Sequence, residues 1–118
     1  MQRSILITLL FGLILTSGCG SARRSEPLGN APELSSAAEL RGRQVFMEHC
    51  HACHVGGAGG LAPALNNKPL PGWLIRFQVR NGLGVMPAFP EAQISDAELD
   101  SLVAYLKALR QAGEPQNR

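Results

Sequence analysis

Two thiols and two imidazoles crowd five consecutive residues, Cys50-His51-Ala52-Cys53-His54, and this limits what the chain can become. The spacing C-x-x-C-H is the attachment pattern of a c-type haem. Thiols three positions apart can each add to one of the two vinyl groups on the same haem edge. The histidine that follows is then held under the macrocycle, where a ring nitrogen reaches iron. Two other chemistries use the same residue types. His49, Cys50, His51, Cys53 and His54 are all of zinc-ligating kinds. Five candidates in six residues cannot converge on one ion, however, and no second cysteine pair follows. Cys50 and Cys53 could also form a redox-active disulfide, which calls for a βαβ context; no strand-rich pattern is present. Haem attachment is the favoured reading of the three.

The length of 118 residues is enough for one domain. Hydrophobic residues make up 45% of the chain, but part of them sit in an N-terminal leader, and only 5% of residues are aromatic, so the core is thin. Domains this small commonly need a staple or a cofactor. A covalent haem would supply the missing apolar volume, and the chain without it is expected to be largely unfolded. The formal net charge is +2. Loss of Arg3 with the leader and addition of two haem propionates bring it near neutral. No long basic run and no basic-aromatic interleaving is present, so nucleic acid is not an expected partner.

Residues 1–18 read as a signal peptide of lipoprotein type. Arg3 gives a positive start, and the apolar run from Ile5 to Thr16 is short for a membrane-spanning helix of ~20 residues. Ser17, Gly18 and Cys19 resemble a lipoprotein cleavage site, with Cys19 the residue to be acylated. Leu15 stands one place earlier than that pattern has its leucine. The alternative is an ordinary secretory peptide. Either way the protein is exported, and Gly20, in place of an inner-membrane retention aspartate, points to the outer membrane. Residues 19–35 read as a lipid-anchored flexible linker, rich in Gly, Ser, Pro and Asn, spanning on the order of 20–25 Å. Residues 36–111 form the expected domain, and 112–118 a loose tail.

Three helices are expected in the domain. Ser36 and Glu39 make a capping box for a helix running to about Cys50, with Leu40, Val45, Phe46 and Met47 as apolar contacts. Gly42, a poor helix former, marks a close crossing with another helix. Pro71 to Asn81 form a second helix, begun by Pro71 and stopped by Gly82. Trp73 reads as a core residue whose indole N–H is also placed to reach a propionate. Arg76 and Arg80 share a face, suited to propionates, to an acidic patch on a partner, or simply to solvent. Ser95 and Glu98 cap a third helix running to about Leu109, with Leu99, Leu102, Val103, Leu106 and Leu109 in one apolar stripe. Between the first two helices, Gly56, Gly57, Gly59 and Gly60 predict an irregular loop. It lacks the Lys-Ser/Thr ending of a phosphate loop. A carbonyl near Pro63 is expected to take a hydrogen bond from His54. Between the last two, Met86 sits on a stretch stiffened by Pro87 and Pro90. A thioether presented there is a sensible sixth iron ligand, and it favours the ferrous state. Met47, three residues before Cys50, is poorly placed to reach the opposite face.

Taken together, Gly42, Phe46, Cys50-His51-Ala52-Cys53-His54, Pro63, Gly82, Met86-Pro87-Ala88-Phe89 and Tyr105-Leu106 resemble a bacterial monohaem class I cytochrome c domain over residues 37–109. The resemblance implies an all-α fold in which short helices and loops wrap a covalent haem. The first and last helices cross at Gly42 against Tyr105. It implies thioether attachment at Cys50 and Cys53, iron ligation by His54 and Met86, and a Pro63 carbonyl bonded to His54. The implied function is electron transfer between redox proteins by a membrane-anchored carrier, with no catalytic residue. The alternatives are a haem subunit of a larger oxidoreductase, and a haem sensor or peroxidase in which Met86 does not bind iron.

Overall fold

The computed structural model describes residues 31–113. The expected signal peptide, Cys19, the linker up to residue 30 and the tail from 114 lie outside the described residues. Helix α1 spans Ala37–His49, α2 Gly72–Asn81 and α3 Asp96–Gly113. Between α1 and α2, strands β1 (His54–Val55) and β2 (Gly59–Gly60) pair antiparallel, His54 opposite Gly60 and Val55 opposite Gly59. The domain is therefore all-α with one minimal hairpin. Its turn places Gly56 and Gly57 at φ of 60° and 75°.

Both long helices start as their sequences dictate. The Glu39 amide donates to Ser36 Oγ (3.1 Å) and the Ser36 amide to Glu39 Oε2 (2.9 Å). The Glu98 amide donates to Ser95 Oγ (3.3 Å) and the Ser95 amide to Glu98 Oε2 (2.9 Å). Backbone hydrogen bonds from Ser36 and from Ser95, respectively, are the main cause holding the Glu39 and Glu98 carboxyls below their ordinary value of 4.5. A depressed folded-state value means that these boxes stabilise the fold above pH 4.5 and stop doing so as pH falls through the lowered values. Thermal melts of the haem-loaded protein should accordingly show a midpoint that drops below pH 4.5. Glu98→Gln should flatten part of that drop; an unchanged acid profile would contradict the assignment.

The core forms where α1 and α3 cross. Gly42 lies against α3 so closely that a Cβ there would stand 2.0 Å from the Ser101 carbonyl oxygen and 2.8 Å from Tyr105 Cβ. Phe46, fully buried, packs on Tyr105 with ring centroids 5.3 Å apart. Val45, Val79, Phe89, Ile94, Leu99, Leu102 and Leu109 complete the cluster. In α3, Tyr105 and Ala108 are buried, whereas Leu106 of the expected stripe is only half-buried. Leu34, from the stretch read as linker, is also half-buried against this core.

Helix α2 departs most from expectation. Val79 is buried and Ile75 packs on the core, while Trp73 is 68% exposed and Phe77 is exposed too. Trp73 is thus not a core residue. Pairs 75/79 and 73/77 both have i,i+4 spacing, and two residues' rotation puts them on opposite sides of the helix. Only one pair can face inward. Arg76 and Arg80 are not loose in solvent either: both reach α3, Arg76 Nε to Asp100 Oδ1 (2.8 Å) and Arg80 Nη2 to Asp96 Oδ1 (2.6 Å).

Candidate haem site

The attachment motif begins as α1 ends. The amides of Cys50 and His51 both donate to the Phe46 carbonyl (2.9 Å each), so the chain leaves the helix in a tight turn. The Cys53 and His54 amides donate to Cys50 O at 3.1 and 2.9 Å. Cys50 and Cys53 are thereby held on one short turn as free thiols, Cys50 half-buried and Cys53 exposed. Burial, with a smaller contribution from Cys53, pushes the Cys50 thiol up to about 11. A redox-active C-x-x-C pair calls for a βαβ context, and the only strands among the described residues are the two of the hairpin. The disulfide reading therefore has no support.

His54 carries the most informative contact. Its Nδ1 lies 2.8 Å from the Pro63 carbonyl oxygen. A carbonyl only accepts, so the proton is on Nδ1 and Nε2 keeps a free lone pair for a metal. The bond also fixes the ring plane and raises ligand basicity. Pro63 is brought to His54 by the hairpin and by the Ala62 amide, which donates to Cys53 O (3.0 Å). His51 is committed elsewhere, its Nδ1 accepting from the Gly56 amide at 3.1 Å. His49 is stacked edge-on with Phe89, ring centroids 6.0 Å apart. Among the described residues no three His, Cys, Asp or Glu side chains gather as a metal site, whereas structural zinc takes four such ligands.

Met86 lies on the segment between α2 and α3. Gly82 ends α2 at φ 74°, its amide on Gln78 O (2.7 Å), and the chain then folds back so that Leu83 and Met86 pair through both backbone bonds (3.2 and 3.0 Å). A Cβ on Gly82 would stand 2.6 Å from the Met86 carbonyl oxygen, so this turn requires glycine twice over, for its φ and for its space. Met86 is half-buried and touches the core. Met47, the rival thioether, is half exposed on α1.

These residues fit a haem: two thiols on one turn, an imidazole with one nitrogen tied back, and a thioether on a braced loop. Leu61, Trp73, Phe77, Leu83 and Val85, from the segments around the motif, α2 and the Met86 loop, are among the apolar side chains that the polypeptide leaves uncovered. Arg76, expected beside the cofactor, donates Nε and Nη2 to Asp100 Oδ1 on α3. Sequence reasoning missed that Arg80, on the same face, reaches the Met86 segment.

Comparison with known proteins bears this out at family level. The sequence profile of the family described as cytochrome C oxidase, cbb3-type, subunit III matches residues 37–106. The chain belongs to the cytochrome c family. Cytochrome c6 of Bryopsis maxima is 40% identical over 75 residues, covering 55% of this chain and 84% of that protein. The cytochrome c subunit of 4-cresol dehydrogenase (hydroxylating) from Pseudomonas putida is 30% identical over 103 residues, covering 87% and 79%. Cytochrome c oxidase subunit 2 of Alkalihalophilus pseudofirmus is 35% identical over 88 residues, only a quarter of its own length. Family membership brings a covalent iron haem c, for which Cys50 and Cys53 stand in the attachment positions, and electron transfer as the function. The haem supplies a one-electron centre; the polypeptide supplies its tether and its orientation.

Proposed function

We propose that this cytochrome is an exported electron carrier whose iron is bound by His54 on one side and Met86 on the other, tethered to a membrane through lipid on Cys19. The His54–Pro63 bond is the observation that supports ligation most directly, because it leaves one ring nitrogen, and only one, for iron. With both axial positions taken, no site for substrate remains, and the centre exchanges electrons with little rearrangement. Weak, short-lived docking of donor and acceptor proteins suits such a carrier. Among the described residues no helix is long and apolar enough to cross a membrane, and the anchor proposed here is acyl chains on Cys19 rather than a span.

Two measurements test the reading. The intact mass of mature protein from the membrane fraction should equal the chain from Cys19 plus one haem plus acyl chains; a mass without lipid removes the anchor. The ferric protein should show the weak far-red charge-transfer band of iron–thioether ligation. Met86→Ala should abolish the band and lower the reduction potential by on the order of 0.1 V, within the ~0.8 V range over which axial ligands tune haem. A wild type without the band would favour a haem sensor or peroxidase. The likeness to a dehydrogenase's cytochrome c subunit favours a second reading, a dedicated subunit of a larger oxidoreductase. Stoichiometric co-purification of a catalytic partner in mild detergent would select it.

A further inference from the structure

Arg80 occupies the last turn of α2, its side chain only 23% exposed. Its guanidinium spends its donors on three acceptors beyond Met86 in the chain. Nη1 donates to the carbonyls of Phe89 (3.0 Å) and Ile94 (2.7 Å), and Nη2 to Asp96 Oδ1 (2.6 Å). The Phe89 amide donates to Val79 O (2.9 Å) beside it. Pro87 and Pro90 bring no amide N–H to this segment, so it has fewer backbone donors than its length would give. One planar fork thus fastens the segment from Gly82 to Asp96 at its far end, while the Gly82 turn fastens the near end. Phe89 and Ile94, whose carbonyls Arg80 holds, are also the buried side chains that seat the segment in the core.

We propose that Arg80 is a positioning residue for the iron–thioether bond: its guanidinium clamps the Met86 segment to α2 and α3, keeping the thioether at iron against displacement. The proposal rests on Met86 being the ligand. Its physical basis is local opening. The thioether leaves iron only when its segment lifts, and the stability of such a segment is set by the bonds that lifting breaks. Here three of them are charge-assisted and converge on one side chain. A lysine cannot replace it, since a single ammonium lacks the fixed fork that spans two carbonyls and a carboxylate.

Imidazole reads the opening directly. It binds ferric iron only when the thioether is off, so its apparent affinity scales with the fraction of open protein. Titration of the ferric holoprotein, followed by the Soret shift and the loss of the far-red band, should give an apparent Kd for Arg80→Gln about tenfold below wild type. Arg80→Lys should fall between the two. Asp96→Asn, which spares both carbonyl bonds, should shift it by about threefold. Arg41→Gln is the control: it breaks the Arg41–Glu98 ion pair between α1 and α3 while sparing all three Arg80 bonds, and should stay within about twofold of wild type. An Arg80→Gln value within that margin, or equal shifts in Arg80→Gln and Arg41→Gln, would overturn the clamp. Should Arg80→Gln yield no folded holoprotein, Arg80→Lys and Asp96→Asn decide, and both remaining at wild type would overturn it. A wild type lacking the far-red band removes the ligand reading and the clamp together. A wild type with the band but an unmoved Arg80→Gln removes the clamp alone.

Discussion

Gly42→Ala should cost the domain more than the ~1–3 kcal/mol usual for an overpacked core position, and in the extreme prevent folding. A methyl group there would sit 2.0 Å from the Ser101 carbonyl oxygen and 2.6 Å from its carbon, far inside contact distance. Those atoms are helix backbone, so no rotamer change relieves the clash; α1 and α3 must separate. Separation undoes the contact on which the core is built, including Phe46 on Tyr105. Urea unfolding of the haem-loaded protein, followed by far-UV circular dichroism, measures the loss. Gly84→Ala is the comparison. It has φ of 58° but nothing within 4 Å of the added carbon, so only backbone strain of about 1–2 kcal/mol applies. Equal losses in the two variants would mean that the helices do not cross as closely as described.

Removing both tethers should have the second large effect. Cys50→Ala with Cys53→Ala is expected to give a protein that holds no haem through denaturing electrophoresis and shows no cooperative thermal transition. The reason lies in the packing. The buried cluster comes from the α1–α3 crossing and two loop residues, Phe89 and Ile94, with α2 contributing Val79. Leu61, Trp73, Phe77, Leu83 and Val85 find no cover from the chain itself. A domain of this size sits near the limit at which its own core sustains it. A haem-free variant melting cooperatively near the temperature of the parent would show that the polypeptide alone suffices.

Much of the fold was legible because its signals are local. Ser36 with Glu39 and Ser95 with Glu98 announce helix starts through groups three residues apart, and both boxes form. Gly42 announced a close crossing because an interior helical glycine needs a reason. The haem tether was readable for the same cause, since covalent chemistry fixes the spacing of Cys50, Cys53 and His54. Helix α2 was not readable in this way. Its two apolar pairs, 73/77 and 75/79, satisfy the same periodicity, and which one turns inward depends on what lies opposite. The same rotation sends Arg76 to Asp100 and Arg80 to Asp96. Their partners lie 24 and 16 residues away, beyond any spacing rule, and the sequence pattern leaves propionates, an acidic partner and solvent equally open to both. The hairpin went unseen because strands of two residues have no period to detect.

The α1–α3 crossing also has a consequence for the order in which the molecule assembles. Arg41 and Glu98, which meet across it, are 57 residues apart in the chain, and closing so long a loop is slow compared with forming either helix. Until α3 is in place, α1 lacks the surface that Gly42 and Phe46 pack on. A group joined to Cys50 and Cys53 before that crossing closes would be enclosed as the two helices come together.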